Sequence, residues 1–274
     1  MLTARRVLVH GRHSDLLPPT TLTALESEPH LVLATTAEER TALALTLSGR
    51  MRPDGGTVMW GHDDGIGKLR SHVGLVDSPG VNEPERHQRM RDVIAEDLSL
   101  LPRPIRRRAA VRGWAVDHGH ADLLDQWPDQ LSATRRLRLL ADLALADDRV
   151  SALVLDGPDR LTFDSAAWLD VVTDFAARGL VVIAVVTDVP DGWTGPVTVI
   201  GAATEEPDEG RRPDDTEPSD DALDTALPVP GFPDEHEPDE GEPADPEPVE
   251  PATAPLTTHD LTHEPTAETA KDDR

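Results

Sequence analysis

Two unbroken aliphatic runs, Ala152-Leu153-Val154-Leu155 and Leu180-Val181-Val182-Ile183-Ala184-Val185-Val186, constrain this chain more than any other feature. A strand with no polar alternation has both faces buried, a condition met almost only in parallel sheets covered by helices on either side. Between the runs, Ala166 to Arg178 carries apolar residues at helical spacing and supplies the crossover that a parallel pair requires. Shorter segments read the same way. Leu31-Val32-Leu33-Ala34 is a buried strand, followed by a polar turn and an apolar periodic stretch from Ala37 to Met51. Arg52-Pro53-Asp54-Gly55-Gly56 ends that stretch with turn chemistry, and Thr57 to Gly61 and His72 to Val76 read as further strands. From Arg91 to Asp148 the character is helical, clearest at Asp92 to Leu98 and Thr134 to Ala146. The expected fold class is α/β: a mostly parallel sheet with helices on both faces and a helical insertion at about residues 85–148.

Charge divides the chain. Of its 274 residues 52 are acidic and 26 basic, a formal charge of -26, and 20 of those excess negative charges lie in residues 203–274 together with 13 of the 25 prolines. Such a segment cannot bury enough apolar surface to offset an ordering entropy of roughly 1–2 kcal/mol per residue. A folded domain at 1–202 and a disordered, acidic, proline-rich tail at 203–274 are therefore expected, the tail serving as a solvating arm or as a docking arm for a basic partner. The same charge excludes a general nucleic-acid binder and a binder of acidic membrane surfaces. With no cysteine, zinc ribbons, iron–sulfur clusters and thiol catalysis are excluded too. Met1 to His13 lacks a signal-peptide apolar region, and the longest aliphatic run is far short of the roughly 20 residues that span a bilayer. A soluble intracellular protein without direct membrane insertion is the expectation.

The strand–turn–helix order at residues 31–51 is that of a phosphate-binding P-loop. Ala34-Thr35-Thr36-Ala37-Glu38-Glu39-Arg40-Thr41 fills the turn, and Gly49, Pro53, Asp54 and Gly56 follow the helix. Further on stand Leu69 to Val76 with Ser78 beyond, Leu131-Ser132-Ala133-Thr134-Arg135 at the head of a helix, Leu153-Val154-Leu155-Asp156-Gly157-Pro158, Asp164, and Val185-Val186-Thr187-Asp188. In order and spacing, residues 31 to 188 resemble the ATP-binding cassette domain of ABC transporters, within the P-loop NTPase superfamily. In that family the first motif is GxxxxGK[ST], so Ala34 and Glu39 stand at its glycines, Arg40 at its lysine and Thr41 at its magnesium ligand. Ser78 stands at the Q-loop glutamine and Ser132 at the signature serine that reaches a partner's γ-phosphate. Asp156 is at the Walker B aspartate facing magnesium, Gly157 at the glutamate that polarises water, Asp164 one residue past the D-loop aspartate, and Asp188 at the switch histidine.

The departures bear on the chemistry. Phosphate loops work because glycines let successive backbone N–H groups curl around the anion while lysine supplies a compact ammonium. Glu39 removes a glycine and adds a negative charge, which at about 5 Å and an effective dielectric near 20 is roughly 3 kcal/mol, or about two decades of affinity. Arg40 keeps a positive charge on a bulkier, planar fork. Phosphoryl transfer depends on positioning and electrostatics, so losing the groups replaced by Gly157, Asp188 and Ser78 removes most of the rate. No aromatic residue precedes Trp60 to stack on adenine. The resemblance thus implies ATP and magnesium held weakly or not at all, with Ala34 to Thr41, Ser132 and Asp156 as the binding set and Thr41 and Asp156 as the metal ligands. Asp156 as a strand-end cap and Ser132 as a helix N-cap remain open alternatives.

Other signals read as structural. Gly65-Ile66-Gly67-Lys68 is expected to be a surface turn with no helix beginning there. His118-Gly119-His120-Ala121-Asp122 is expected to be a solvated helix end, since no third convergent metal ligand is in sight. Arg106-Arg107-Arg108 and Arg135-Arg136 read as exposed helix faces or as docking points for an acidic surface. Trp114, Trp127 and Trp168 read as packing residues.

The resemblance implies a cytoplasmic subunit, peripheral on the inner face of the membrane through a membrane-spanning transporter partner, forming a homo- or heterodimer with a second cassette and hydrolysing little or no ATP. Two alternatives stay open: a non-enzymatic scaffold or regulator that retains the fold, and a competent ATPase whose missing groups come from elsewhere.

Overall fold

The unbroken apolar runs form the middle of a five-stranded, all-parallel sheet. In the computed structural model, which describes residues 1–102 and 110–202, strands β1 (Leu2–His10), β2 (Asp15–Ala24) and β3 (His30–Leu33) lead into helix α1 (Ala37–Leu47). Then follow β4 (Gly55–Trp60), α2 (Ile66–His72), β5 (Val73–Val76), α3 (Met90–Leu100), α4 (Val111–Asp117) and α5 (Ala133–Ala144). The last elements are β6 (Ala152–Asp156), α6 (Ser165–Ala177), β7 (Val181–Val186) and β8 (Val197–Val199). The parallel sheet has the order β5-β6-β7-β3-β8, with Ala152 beside Val181 and His30 beside Ile183. The expected tail and the Arg106-Arg107-Arg108 patch lie outside the described residues.

Alternation along each strand sends side chains into two cores. Leu153, Leu155, Val182, Ala184 and Val186 pack with α3, α5 and α6, where Trp168, Phe175 and Ile94 are buried. Val154, Val181, Ile183, Val185 and Val32 face the other way, onto α1. That helix is enclosed on more than one side, because a second, antiparallel sheet of order β2-β1-β4 covers it: Leu17, Leu22 and Val58 share its core. Such enclosure explains why Ala42, Leu43, Ala44, Thr46 and Leu47 are all buried, and why the Thr46 and Ser48 hydroxyls donate back to the Ala42 and Ala44 carbonyls. Gly49 closes the helix at φ 69°, where a Cβ would meet the Leu69 Cβ at 2.9 Å, so only glycine fits.

Several expectations change. A helix, α2, does begin after Gly65, which caps it at φ -64° without a side-chain bond, so the expected surface turn is a helix start. It forms because Leu69 buries its side chain and Arg70 Nε donates to the Gly49 carbonyl. His120 is not solvated: it is buried, its Nε2 lies 2.8 Å from Asp142 Oδ2, and with His118 it stacks on Trp114. Arg136 does not lie on an exposed face either, since it pairs with the buried Asp77. Trp114 and Trp168 are core residues, and Trp127 carries the Arg89 guanidinium 4.7 Å from its ring centroid.

Candidate functional site

In an open parallel sheet the chemistry gathers outside the carboxyl ends of the strands. Here Ala34 follows β3, Asp77 and Ser78 follow β5, Asp156 closes β6 and Thr187 follows β7. Asp156 is the centre of the group. Its carboxylate is fully buried, and each oxygen is engaged by the chain itself: Arg40 Nε donates to Oδ1 at 2.7 Å, while Thr41 Oγ1 and Ser78 Oγ donate to Oδ2 at 2.9 and 2.6 Å. Arg40 is buried as well, so the two charges form an ion pair out of water, a geometry that holds only when the remaining lone pairs are satisfied. The two hydroxyls satisfy them at Oδ2.

The loop ahead of α1 is closed in a similar way. α1 starts at Ala37, so Ala37 to Thr41 are wound into its first turns rather than arched away from it. Thr36 is the N-cap. Its Oγ1 accepts from Glu39 N at 3.1 Å, and Glu39 Oε2 accepts in return from Thr36 N at 3.1 Å and from Thr35 N at 2.8 Å. This is a capping box, and the Thr-x-x-Glu spacing at 36–39 is its sequence signature. That signature was present in the sequence, where Glu39 reads only as a charge opposed to phosphate.

The position after Asp156 completes the cluster. Gly157 has φ 66°, and a Cβ there would lie 2.8 Å from Arg40 Nε and Cζ. Glycine therefore makes room for the guanidinium on its way to Asp156. Around this centre lies a second ionic group, built on Asp77, that no motif in the sequence marks. Asp77, buried with φ 56°, receives both Arg136 Nε and Nη2, at 3.0 and 2.6 Å, and Arg160 Nη2 lies 3.3 Å from its Oδ1. It ties the end of β5 to α5 and to the turn at Pro158–Leu161. Asp159 Oδ2 accepts from both the backbone N and Oγ1 of Thr187 and so joins that turn to the end of β7.

The other expected positions lie outside the Asp156 cluster. Ser132 is exposed and caps α5, its Oγ accepting from Arg135 N at 3.4 Å. Asp164 caps α6 by accepting from Ala166 N at 3.1 Å, and Asp188 is exposed. Beside the loop, a mostly apolar recess of about 320 Å³ is lined by Leu16, Ala37, Glu38, Thr41, Ala42, Leu45 and Met51, with no aromatic ring to stack on a base.

As arranged, Thr41 and Asp156 do not fit a magnesium ion, because their oxygens are engaged with each other and a guanidinium already faces the carboxylate. No group of three histidine or acidic side chains able to hold a metal occurs among the described residues.

The architecture has solved counterparts. cbiO1 from Clostridium perfringens, part of the ABC transporter complex cbiONQ, matches with a TM-score of 0.51 at 18% identity, over 68% of this chain and 78% of that one. The ATP-binding cassette MJ0796, in a dimeric post-hydrolysis state bound to ADP and Pi, matches with a TM-score of 0.50 at 16% identity, over 69% of this chain and 88% of that one. No protein-family profile matches the sequence, and no curated protein matches it. The chain therefore shares the fold of these ATP-binding cassette structures.

Proposed function

We propose that this protein is a cassette-fold subunit that works beside a membrane-spanning transporter partner, binds Mg·ATP weakly or not at all, and hydrolyses little or none. One observation carries the reading: Asp156 is buried with both carboxylate oxygens held by Arg40, Thr41 and Ser78, and the next residue is Gly157 rather than an acid. A water attacking a phosphoryl group needs an acceptor to orient it and a cation to offset charge. At that strand end Gly157 offers no acceptor, and the Arg40 guanidinium is already paired with Asp156. The transporter assignment is supported by the fold shared with cbiO1, itself part of a transporter complex. Among the described residues no helix is long and apolar enough to cross a membrane, so attachment would be peripheral, through the partner. In a head-to-tail pair with a competent cassette, the exposed Ser132 is the residue offered to the partner's nucleotide.

A non-enzymatic scaffold or regulator is the second reading, favoured by a site whose polar groups satisfy one another. Calorimetric titration of Mg·ATP into the full chain, with phosphate release measured in parallel, tests the non-hydrolytic reading. The expected result is a dissociation constant above about 1 mM, weaker than ~4 kcal/mol of binding, and no turnover. Micromolar binding with steady phosphate release would overturn it. Ser132→Ala then separates the two readings: loss of transport in cells supports the subunit, and unchanged transport the scaffold.

A further inference from the structure

We propose that Glu39 and Arg40 form a built-in ligand pair that locks the phosphate loop shut. This deepens the function proposed above and rests on it for the identity of the loop. The two halves of the lock are separate in space and chemistry. On the loop side, the Glu39 carboxylate takes the backbone N–H groups of Thr35 and Thr36, donors of the kind that a loop before a helix offers to phosphate. On the strand side, the Arg40 guanidinium takes the Asp156 oxygen at 2.7 Å, where a cation would otherwise be needed to neutralise a buried carboxylate. Adjacent in sequence, Glu39 supplies an acceptor for the loop amides and Arg40 a counter-charge for Asp156, so both halves are engaged without any bound anion or metal.

Gly157 shows that the closure is a coordinated arrangement. A Cβ there would lie 2.8 Å from Arg40 Nε and Cζ, so Arg40 holds this position only beside a glycine at 157. Ser78 belongs to the same arrangement, because its hydroxyl is short enough to donate to Asp156 Oδ2 at 2.6 Å. The lock holds the carboxyl ends of β3, β5 and β6 in one bonded cluster whatever the nucleotide concentration. Restoring a single residue should not open it fully, since each half is satisfied independently of the other.

The test uses the full chain, sodium tripolyphosphate with magnesium as the probe, and hydrogen exchange at the Thr35 and Thr36 amides as the readout. In the native chain both amides are protected and the probe changes nothing. Glu39→Ala releases them: their exchange quickens, and the probe binds about two decades more tightly than to the native chain and restores protection. Glu39→Gln keeps an acceptor while losing the charge; it should retain amide protection and gain less than Glu39→Ala, and it serves as the folded control. The double change Glu39→Gly with Arg40→Lys should bind more tightly than either single change. Equal exchange at Thr35 and Thr36 in native and Glu39→Ala proteins, or no gain in binding by a folded Glu39→Ala or Glu39→Gln, overturns the lock. These results are independent of turnover by the native chain, so failure of the lock and failure of the non-hydrolytic reading are told apart.

Discussion

The Arg40 guanidinium crosses Gly157 at a distance that leaves no room for a Cβ, 2.8 Å from where one would sit, on its way to the buried carboxylate of Asp156. A substitution at 157 must therefore displace Arg40 or distort a backbone already at φ 66°. Gly157→Ala is expected to destabilise the protein by about 2–4 kcal/mol, combining left-handed strain with a disturbed buried ion pair. Part of that loss should vanish in an Arg40→Lys background, whose slimmer side chain clears the site. Denaturant unfolding of the two single variants and the double variant measures the coupling, and additive losses would show that the contact carries no energy.

The coupling also shows what a linear reading can and cannot extract. Four of the five parallel strands and α1 were legible because continuous aliphatic runs and turn residues at Pro53 and Gly56 act locally, whereas the three-residue edge strand β8 was not read. Strands β1 and β2 were not, because Arg6 sits at φ 46° within a register shift that breaks alternation, and Pro18-Pro19 argues against a strand except at an edge. β2 is such an edge. At the site, the residues to watch were readable from motif spacing, but their mutual bonds were not: nothing at positions 40, 78 and 156 announces that three side chains meet. Glu39 is the exception, since a capping box is a four-residue signal. Arg136 and Asp77 lie 59 residues apart and pair only once α5 is laid against the end of β5.

Asp97 lies on α3 in a cleft with Leu100, Leu140 and Leu143, and burial, with help from Glu96, raises its carboxyl from 3.8 to about 6. Between these values the unfolded chain has lost a proton that the folded chain keeps. Stability therefore falls as pH rises through about 4 to 6, and the full penalty is present at neutral pH. Asp97→Asn removes it. The variant should be more stable than the native chain at pH 7.5 by ~1–3 kcal/mol and indistinguishable from it near pH 3.5. Thermal unfolding at both pH values decides, and a variant less stable at pH 7.5 would mean that the ionised carboxylate has a favourable partner.

His30 has the opposite dependence. It is buried on β3 with Nε2 2.9 Å from Thr198 Oγ1 on β8, and burial lowers its pKa from 6.5, against smaller upward contributions from Glu28 and the Thr23 backbone. A lowered histidine pKa means that, below pH 6.5, the unfolded chain takes up a proton that the folded chain refuses. Its contribution to stability is complete above that pH and is lost as pH falls toward the folded-state value. β8, a three-residue edge strand, is where the loss should appear first, because protonation puts a charge into the strand's only side-chain bond to β3 among the described residues. His30→Gln keeps a donor for Thr198 and cannot titrate. Amide exchange along Val197 to Val199 should quicken between pH 7.5 and 5.5 in the native chain once corrected for intrinsic rates, and stay constant in His30→Gln. Equal acceleration in both proteins would assign the acid sensitivity of this edge to another group.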